Sequence, residues 1–109
     1  MRFTVRLAPE ALADLEEIHD WIAKHDSPSR AAHVEERILA ALAALARHPA
    51  RGPYPPELLE LGIRDYRETL FKPYRMIYRM EGRHVDVYLI ADGCRDMQAL
   101  LARRLLAGR

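Results

Sequence analysis

The sequence has almost no cysteine and no long hydrophobic segment. Cys94 is the only cysteine in 109 residues, so no disulfide can form within the chain. No apolar run approaches the ~20 residues that a membrane-spanning helix needs. Residues 1–7 also lack the apolar block typical of a signal peptide. These absences predict a cytoplasmic protein that does not bind a membrane.

Neither sign of charge dominates the composition. With 17 Lys/Arg and 16 Asp/Glu the net charge is +1, which is far from the strongly basic balance of proteins that bind DNA non-specifically. Any contact with nucleic acid must therefore be local. The 50% hydrophobic and 30% charged residues exclude a disordered chain, and the length suits one hydrophobic core. We expect a single domain spanning residues 1–109.

The spacing of apolar residues predicts the secondary structure of the first half. Phe3, Val5 and Leu7 alternate with polar residues, as in a half-buried strand. Apolar residues at helical spacing predict one helix over residues 9 to about 24 and another over residues 28 to about 47. The short polar segment between them predicts an antiparallel helical hairpin.

The second half has the pattern of strands. A proline-rich connector precedes a short helical turn at residues 57–61 and an extended segment at residues 63–71. Residues 75–80 and 84–91 predict a hairpin, and Val85, Val87 and Leu89 are expected on one face of it. Residues 96–106 predict an amphipathic final helix.

These elements predict an α+β fold. We expect an antiparallel sheet of about four strands, packed on one face by the N-terminal helical hairpin and followed by a C-terminal helix.

Arginines recur along the predicted strands. Arg67, Arg75, Arg79 and Arg95 lie on them or at their ends, and Arg75 and Arg79 share a strand face because they are four residues apart. Such a set concentrates positive charge, as a phosphate-rich or acidic target requires. The simpler alternative is that an arginine pairs with a carboxylate across the sheet, and that Arg95 only positions the final helix.

Residues that bind metals show no comparable pattern. No spacing among the five histidines and Cys94 resembles a zinc motif, so we expect no metal and no other cofactor. Cys94 is expected to be a small packing residue, because no base lies near it in sequence.

Four short segments occur in an order and spacing that resemble a known family. They are Ala8-Pro9-Glu10-Ala11 with Asp14-Leu15 and Ile18, His48-Pro49 with Gly52, the strand Pro73-Tyr74-Arg75-Met76-Ile77-Tyr78-Arg79, and Gly93-Cys94-Arg95-Asp96 before the final helix. Together they resemble the RelE/ParE superfamily of bacterial toxins, in particular its ParE-like plasmid-stabilisation branch. The resemblance covers nearly the whole chain.

This resemblance implies the toxin of a type II toxin–antitoxin system, encoded beside a labile antitoxin that wraps around it. ParE-like toxins are associated with inhibition of DNA gyrase, whereas RelE-like relatives cut mRNA in the ribosomal A site. The implied partner is a ParD-like antitoxin in a hetero-oligomer, and operator DNA is bound only indirectly, through that antitoxin.

The RelE-like nuclease site is matched only in part. Arg75 and Arg95 match its two arginines, but Tyr66 and Glu68 stand where its lysines are, and Leu101 stands where it has a tyrosine. Without an obvious general acid or base, two arginines can bind a phosphate but do not complete the site.

A second nuclease arrangement stays open, because some RNase relatives use a glutamate and a histidine. Here Glu68 or Glu81 would pair with His84. The catalytic candidates of the nuclease alternative are therefore Arg75, Arg95, Glu68 and His84.

The preferred interpretation is a gyrase inhibitor; a ribosome-dependent endoribonuclease and a non-toxic antitoxin-binding relative are the alternatives. Arg75, Arg79 and Arg95 are expected to contact the target, and Arg75→Ala is expected to abolish toxicity without unfolding the protein. An apolar groove is expected to accept an antitoxin helix. The predicted antitoxin contacts are Trp21, Leu100, Leu101 and Leu105.

Overall fold

The protein, here a computed structural model that describes residues 2–107, is built from four strands and four helices within that range. In chain order they are β1 (Thr4–Leu7), α1 (Pro9–His25), α2 (Pro28–Ala43), α3 (Pro56–Leu59), β2 (Arg67–Phe71), β3 (Tyr74–Glu81), β4 (His84–Asp92) and α4 (Met97–Leu101). A π-helical segment, Ala102–Leu106, extends α4. None of the helices in the described residues is long and apolar enough to cross a membrane.

The strands form one sheet in the order β1-β4-β3-β2. β2, β3 and β4 are joined antiparallel, while β1 runs parallel to β4. The predicted α+β fold with a mainly antiparallel four-stranded sheet is thus confirmed, and α1 and α2 pack on one face of it as expected. Each long helix begins where the sequence indicated, with Pro9 and Pro28 in their first turns and Ser27 accepting a hydrogen bond from the Arg30 amide at 3.0 Å.

The core between the helical hairpin and the sheet contains the apolar stripes of both long helices. Their residues recur every three or four positions, so one side of each helix is buried. The buried members are Ala11, Leu15, Ile22, Ala31, Val34, Ile38, Leu42, Leu45, Met76, Tyr78, Val85, Val87 and Ile90.

A second core covers the opposite face of the sheet, which the sequence pattern did not predict. There α3 and α4 pack against Ile77 of β3 and against the end of β4. Its buried members are Leu58, Tyr66, Ile77, Leu89, Ala91, Met97, Leu100 and Leu101.

A β-bulge in β4 changes which face its residues occupy. Ile77 pairs with Leu89, but the next residue, Tyr78, pairs with Val87, so Tyr88 is an extra residue on β4. Val85 and Val87 consequently lie in the first core and Leu89 in the second. The prediction that these three residues share a face was wrong, because it assumed uninterrupted alternation.

Asp14 on α1 joins the bulged strand to the C-terminal segment. Its carboxylate accepts a hydrogen bond from the Ile90 amide at 3.0 Å. The pairing of β1 with β4 ends at Val87, so Asp14 takes the place of a strand partner for Ile90. The guanidinium of Arg104 donates to both oxygens of Asp14 at 3.0 Å and to the Tyr88 carbonyl at 3.0 Å. The end of the helical extension is therefore fixed against α1 and the bulge.

Candidate functional site

A surface groove of 430 Å³ opens between α1 and the ends of β3 and β4. Its apolar part consists of Ile18, Trp21, Ile22, Tyr74, Ile90 and Ala91, and its charged part of Asp14, Glu17, Asp92 and Arg95. We call it the Trp21 groove. Apolar lining beside charges of both signs is typical of a site that accepts an amphipathic protein segment.

Trp21 is the most exposed of the large apolar side chains in residues 2–107. It is 62% exposed and stacks on His25, with ring centroids 4.4 Å apart and an angle of 17° between the planes. The Nδ1 atom of His25 lies 2.9 Å from the Trp21 carbonyl oxygen, so the helix backbone fixes the stacked ring. Trp21 also lines a second depression, together with Arg30, Phe71 and Tyr74 among others. A large aromatic residue that is held in place and lines two depressions suits a protein contact.

The other three predicted antitoxin contacts lie elsewhere. Leu100 and Leu101 are only 4% and 1% exposed and belong to the second core, and Leu105 packs partly buried against it. Leu100 and Leu101 are therefore not surface residues, because they pack on the face of the sheet opposite the hairpin. Of the four predicted residues, only Trp21 lines the groove.

Arg75 is engaged by two carboxylates. Its Nη1 and Nη2 atoms donate to both oxygens of Glu57 at 2.8 Å, and its Nε atom donates to Glu68 at 2.7 Å. The pKa of Arg75 is raised, chiefly by the hydrogen bonds to Glu57, and the pKa of Glu57 is lowered by the same contact. With its side chain 14% exposed, Arg75 connects α3, β2 and β3.

Arg79 and Arg95 lie at opposite ends of the sheet. Arg95 is exposed and lines the Trp21 groove just after β4. Arg79 is partly buried near the other end of β3, four residues and about 13 Å from Arg75 along the strand. The three arginines predicted as target contacts are thus not one patch: only Arg95 belongs to the groove.

The residues of the nuclease alternative are dispersed as well. Glu68 is 7% exposed and bound to Arg75, and it pairs with Ile77 in the sheet. His84 pairs with Glu81 at the hairpin end, again about 13 Å along β3 from Ile77. The structure brings Glu68 to Arg75 and pairs Glu81 with His84, but it keeps these two pairs at different places along β3.

Cys94 is exposed, so the expectation that it packs in the interior was wrong. It sits in the turn after β4, where its amide donates to Asp92 at 2.8 Å. Asp92 raises the pKa of the thiol, which disfavours the reactive thiolate. Among residues 2–107, no group of three or more His, Cys, Asp or Glu side chains is arranged to hold a metal ion.

Comparison with known proteins identifies the family. The sequence model of the ParE toxin of the type II toxin–antitoxin system parDE matches residues 5–97. The chain belongs to the ParE toxin family. The predicted membership of the RelE/ParE superfamily, in its ParE-like branch, is confirmed. Curated protein sequences contain no significant match to the chain.

Solved structures of toxin–antitoxin systems contain chains that share the fold of this ParE-family chain. One is a chromosomal ParDE toxin–antitoxin system from P. aeruginosa, with 17% sequence identity, a TM-score of 0.72, and coverage of 84% of this chain and 96% of that one. Another is the RelBE2 toxin–antitoxin complex from Mycobacterium tuberculosis, with 19% identity, a TM-score of 0.59, and coverage of 84% and 99%.

Two contributions to the site of this ParE-family toxin were missed in the sequence. Glu57, the main partner of Arg75, comes from α3, and the only local signal was a glutamate in the first turn of a short helix. Asp14 belongs to the segments that carry the family resemblance. Its role as acceptor for Ile90 and Arg104 depends on the bulge, which could not be predicted from the sequence.

Proposed function

We propose that this ParE-family toxin inhibits DNA gyrase by binding to it, and that a ParD-like antitoxin neutralises the toxin by occupying the Trp21 groove. One observation supports gyrase over mRNA as the target: the guanidinium of Arg75 is bound by Glu57 and Glu68. Cleavage of RNA needs a base for the 2′-hydroxyl and cations free to contact the phosphate. Here Glu68 and Arg75 are engaged with each other.

The position of Arg95 explains how an antitoxin would inhibit the toxin. Arg95 is exposed and lines the same groove as Trp21. A helix that buries the indole of Trp21 would therefore also cover Arg95, so that target and antitoxin compete for one surface. The groove further predicts an antitoxin helix with an apolar residue against Trp21, an acidic one near Arg95 and a basic one near Glu17.

Inhibition of purified gyrase tests the target. We expect the toxin to inhibit supercoiling of plasmid DNA, and Arg95→Gln to inhibit about ten-fold less because an exposed contact is lost. Arg47→Gln is the matched control, since Arg47 is an exposed arginine that does not line the groove. Cleavage of ribosome-bound mRNA by a toxin that leaves gyrase unaffected would overturn the proposal.

Binding of the antitoxin depends on Trp21. We expect Trp21→Ala to weaken the complex with the cognate antitoxin by about ten- to one hundred-fold, because the exposed indole is the natural anchor of the groove. The midpoint of thermal unfolding should change little. Leu39→Ala truncates a different exposed apolar residue, which lies on α2 and not in the groove. It is the control for titration calorimetry. Equal effects of the two substitutions would show that the groove is not the contact.

A further inference from the structure

The second depression lined by Trp21 continues the groove across the end of the sheet. It has a volume of 190 Å³ and shares Trp21, Ile22 and Tyr74 with the Trp21 groove. We call it the Phe71 depression. Because the two depressions have these three residues in common, they form one continuous surface, with Tyr74 at their border.

Phe71 and Tyr74 form an apolar floor in this depression. They are opposite each other in the pairing of β2 with β3, so their side chains lie on the same face of the sheet. Both pack, partly buried, against the first core, to which Ile22 and Val34 also belong. Ile22 and Val34 line the depression from α1 and α2. A floor of this kind suits the apolar side chains of a protein partner.

Three cations lie around Phe71. Arg30 and Lys72 line the depression, and the guanidinium carbon of Arg37 lies 5.5 Å from the centre of the Phe71 ring. All three are exposed, and within residues 2–107 none of them forms an ion pair. One carboxylate, that of Asp26, lines the same depression. The rim therefore has an excess of positive charge that no group of the described chain neutralises.

The sign of the charge changes at Tyr74. Carboxylates outnumber cations in the Trp21 groove, whereas cations outnumber carboxylates around Phe71. Groups from both sides act on the Tyr74 hydroxyl: burial raises its pKa, Asp92 raises that pKa further, and Arg30 lowers it. Tyr74 thus lies between charges of opposite sign, and the whole surface is polarised from one end to the other.

We propose that the Phe71 depression binds an acidic segment of the same antitoxin chain that covers Trp21. The free cations of the rim complement carboxylates, and the apolar floor complements the hydrophobic residues between them. Asp26 and Asp92, one on each side of Tyr74, repel a continuous polyanion such as a nucleic-acid backbone. The proposal deepens the proposed function and rests on it, because it adds a charged part to the same interface.

The surface also predicts how charges are spaced along the antitoxin segment. Glu17 in the Trp21 groove and Asp26 in the Phe71 depression are nine residues apart, so the surface extends for about 14 Å along α1. A helix of about nine residues has this length. We expect basic residues at the end of the segment near Glu17, and acidic residues two to three helical turns away, near Arg30 and Arg37.

The experiment measures association and dissociation rates of the purified toxin with the full-length antitoxin encoded beside it, by surface plasmon resonance at low and high salt. Charges at the rim of an interface chiefly affect association, whereas loss of a central anchor chiefly affects dissociation. We expect Arg30→Glu and Arg37→Glu each to slow association about five- to ten-fold at low salt. The loss should shrink at high salt because ions screen the attraction. Trp21→Ala should instead accelerate dissociation.

Two controls separate charge from a disturbed fold. Arg83→Glu makes the same change in charge at an exposed arginine between β3 and β4, at the opposite end of the sheet, and should associate as the unaltered toxin does. Arg30→Lys keeps the charge and should also associate normally. The midpoint of thermal unfolding should be similar for all these variants, because each replaced arginine is exposed.

Equal association rates of Arg30→Glu, Arg37→Glu and Arg83→Glu would overturn the inference while leaving the Trp21 groove in place. A short DNA duplex that binds the unaltered toxin and is lost on Arg30→Glu and Arg37→Glu would also overturn it, because the rim would then contact nucleic acid. Slow association of these two variants, together with an unchanged dissociation rate of Trp21→Ala, would support the depression and refute the groove. An antitoxin that does not bind the unaltered toxin would refute both.

Discussion

Replacing Gly52 by alanine is expected to destabilise the protein by about 3 kcal/mol, at the upper end of what overpacking of a core costs. A Cβ atom at this position would lie 2.3 Å from the Tyr78 hydroxyl oxygen and 2.5 Å from the Glu68 carbonyl oxygen. Gly52 has a φ of −65°, which every residue adopts, so the requirement for glycine is steric. Tyr78 cannot move aside, because it is buried and donates its hydroxyl to the Pro49 carbonyl.

Three further variants isolate the steric cause. Gly62 has a φ of 74° and open space around it, so Gly62→Ala should cost only about 1 kcal/mol of backbone strain. Tyr78→Phe removes the nearest atom, so Gly52→Ala combined with Tyr78→Phe should lose less stability than the two single changes added together. Denaturant unfolding of the unaltered protein and of these four variants measures the differences in stability. A Gly52→Ala variant no less stable than Gly62→Ala would contradict the packing described here.

Replacing Arg75 by alanine is expected to cost about 3 kcal/mol of stability, because it leaves Glu68 buried without its cation and detaches Glu57 of α3. The structure thus revises the expectation that Arg75→Ala spares the fold. Arg75→Met combined with Glu68→Gln, which removes the uncompensated charge, should be more stable than Arg75→Ala. Equal stability of the alanine variant and the unaltered protein would show that the ion pairs contribute nothing.

The pH dependence of stability gives an independent measure of the same contact. Arg75 lowers the pKa of Glu57 in the folded protein, so the unfolded chain binds a proton at a higher pH than the folded one. The stabilisation is therefore present above the ordinary glutamate pKa of about 4.3 and is lost as the pH falls through the lower folded value. Arg75→Ala should show a weaker loss of stability on acidification, whereas Arg30→Ala should match the unaltered protein.

The order of helices and strands could be predicted because it depends on local periodicity. Residues at helical spacing on α1 and α2, and prolines at their first turns, fix those helices without knowledge of the rest. The bulge at Tyr88 could not be predicted, because it arises from how β4 pairs with β3. That bulge moves Leu89 to the second core, which in turn buries Leu100 and Leu101.

In the candidate site, too, features that depend on local sequence could be predicted, whereas features that depend on tertiary contacts could not. The exposure of Trp21 could be predicted, because Trp21 widens the apolar face of α1 beyond what the hairpin buries. The roles of the arginines could not, since Arg75 and Arg79 are alike in sequence and differ only in their tertiary neighbours. Glu57, which distinguishes them, lies 18 residues from Arg75 along the chain.

The most direct test of the central claim is pulse-labelling of DNA and protein synthesis immediately after this toxin is induced without its antitoxin in a bacterial host. Inhibition of gyrase predicts that incorporation of labelled thymidine falls first, while incorporation of labelled amino acids continues. A fall in protein synthesis that precedes any change in DNA synthesis would contradict the account and indicate the ribosome as the target.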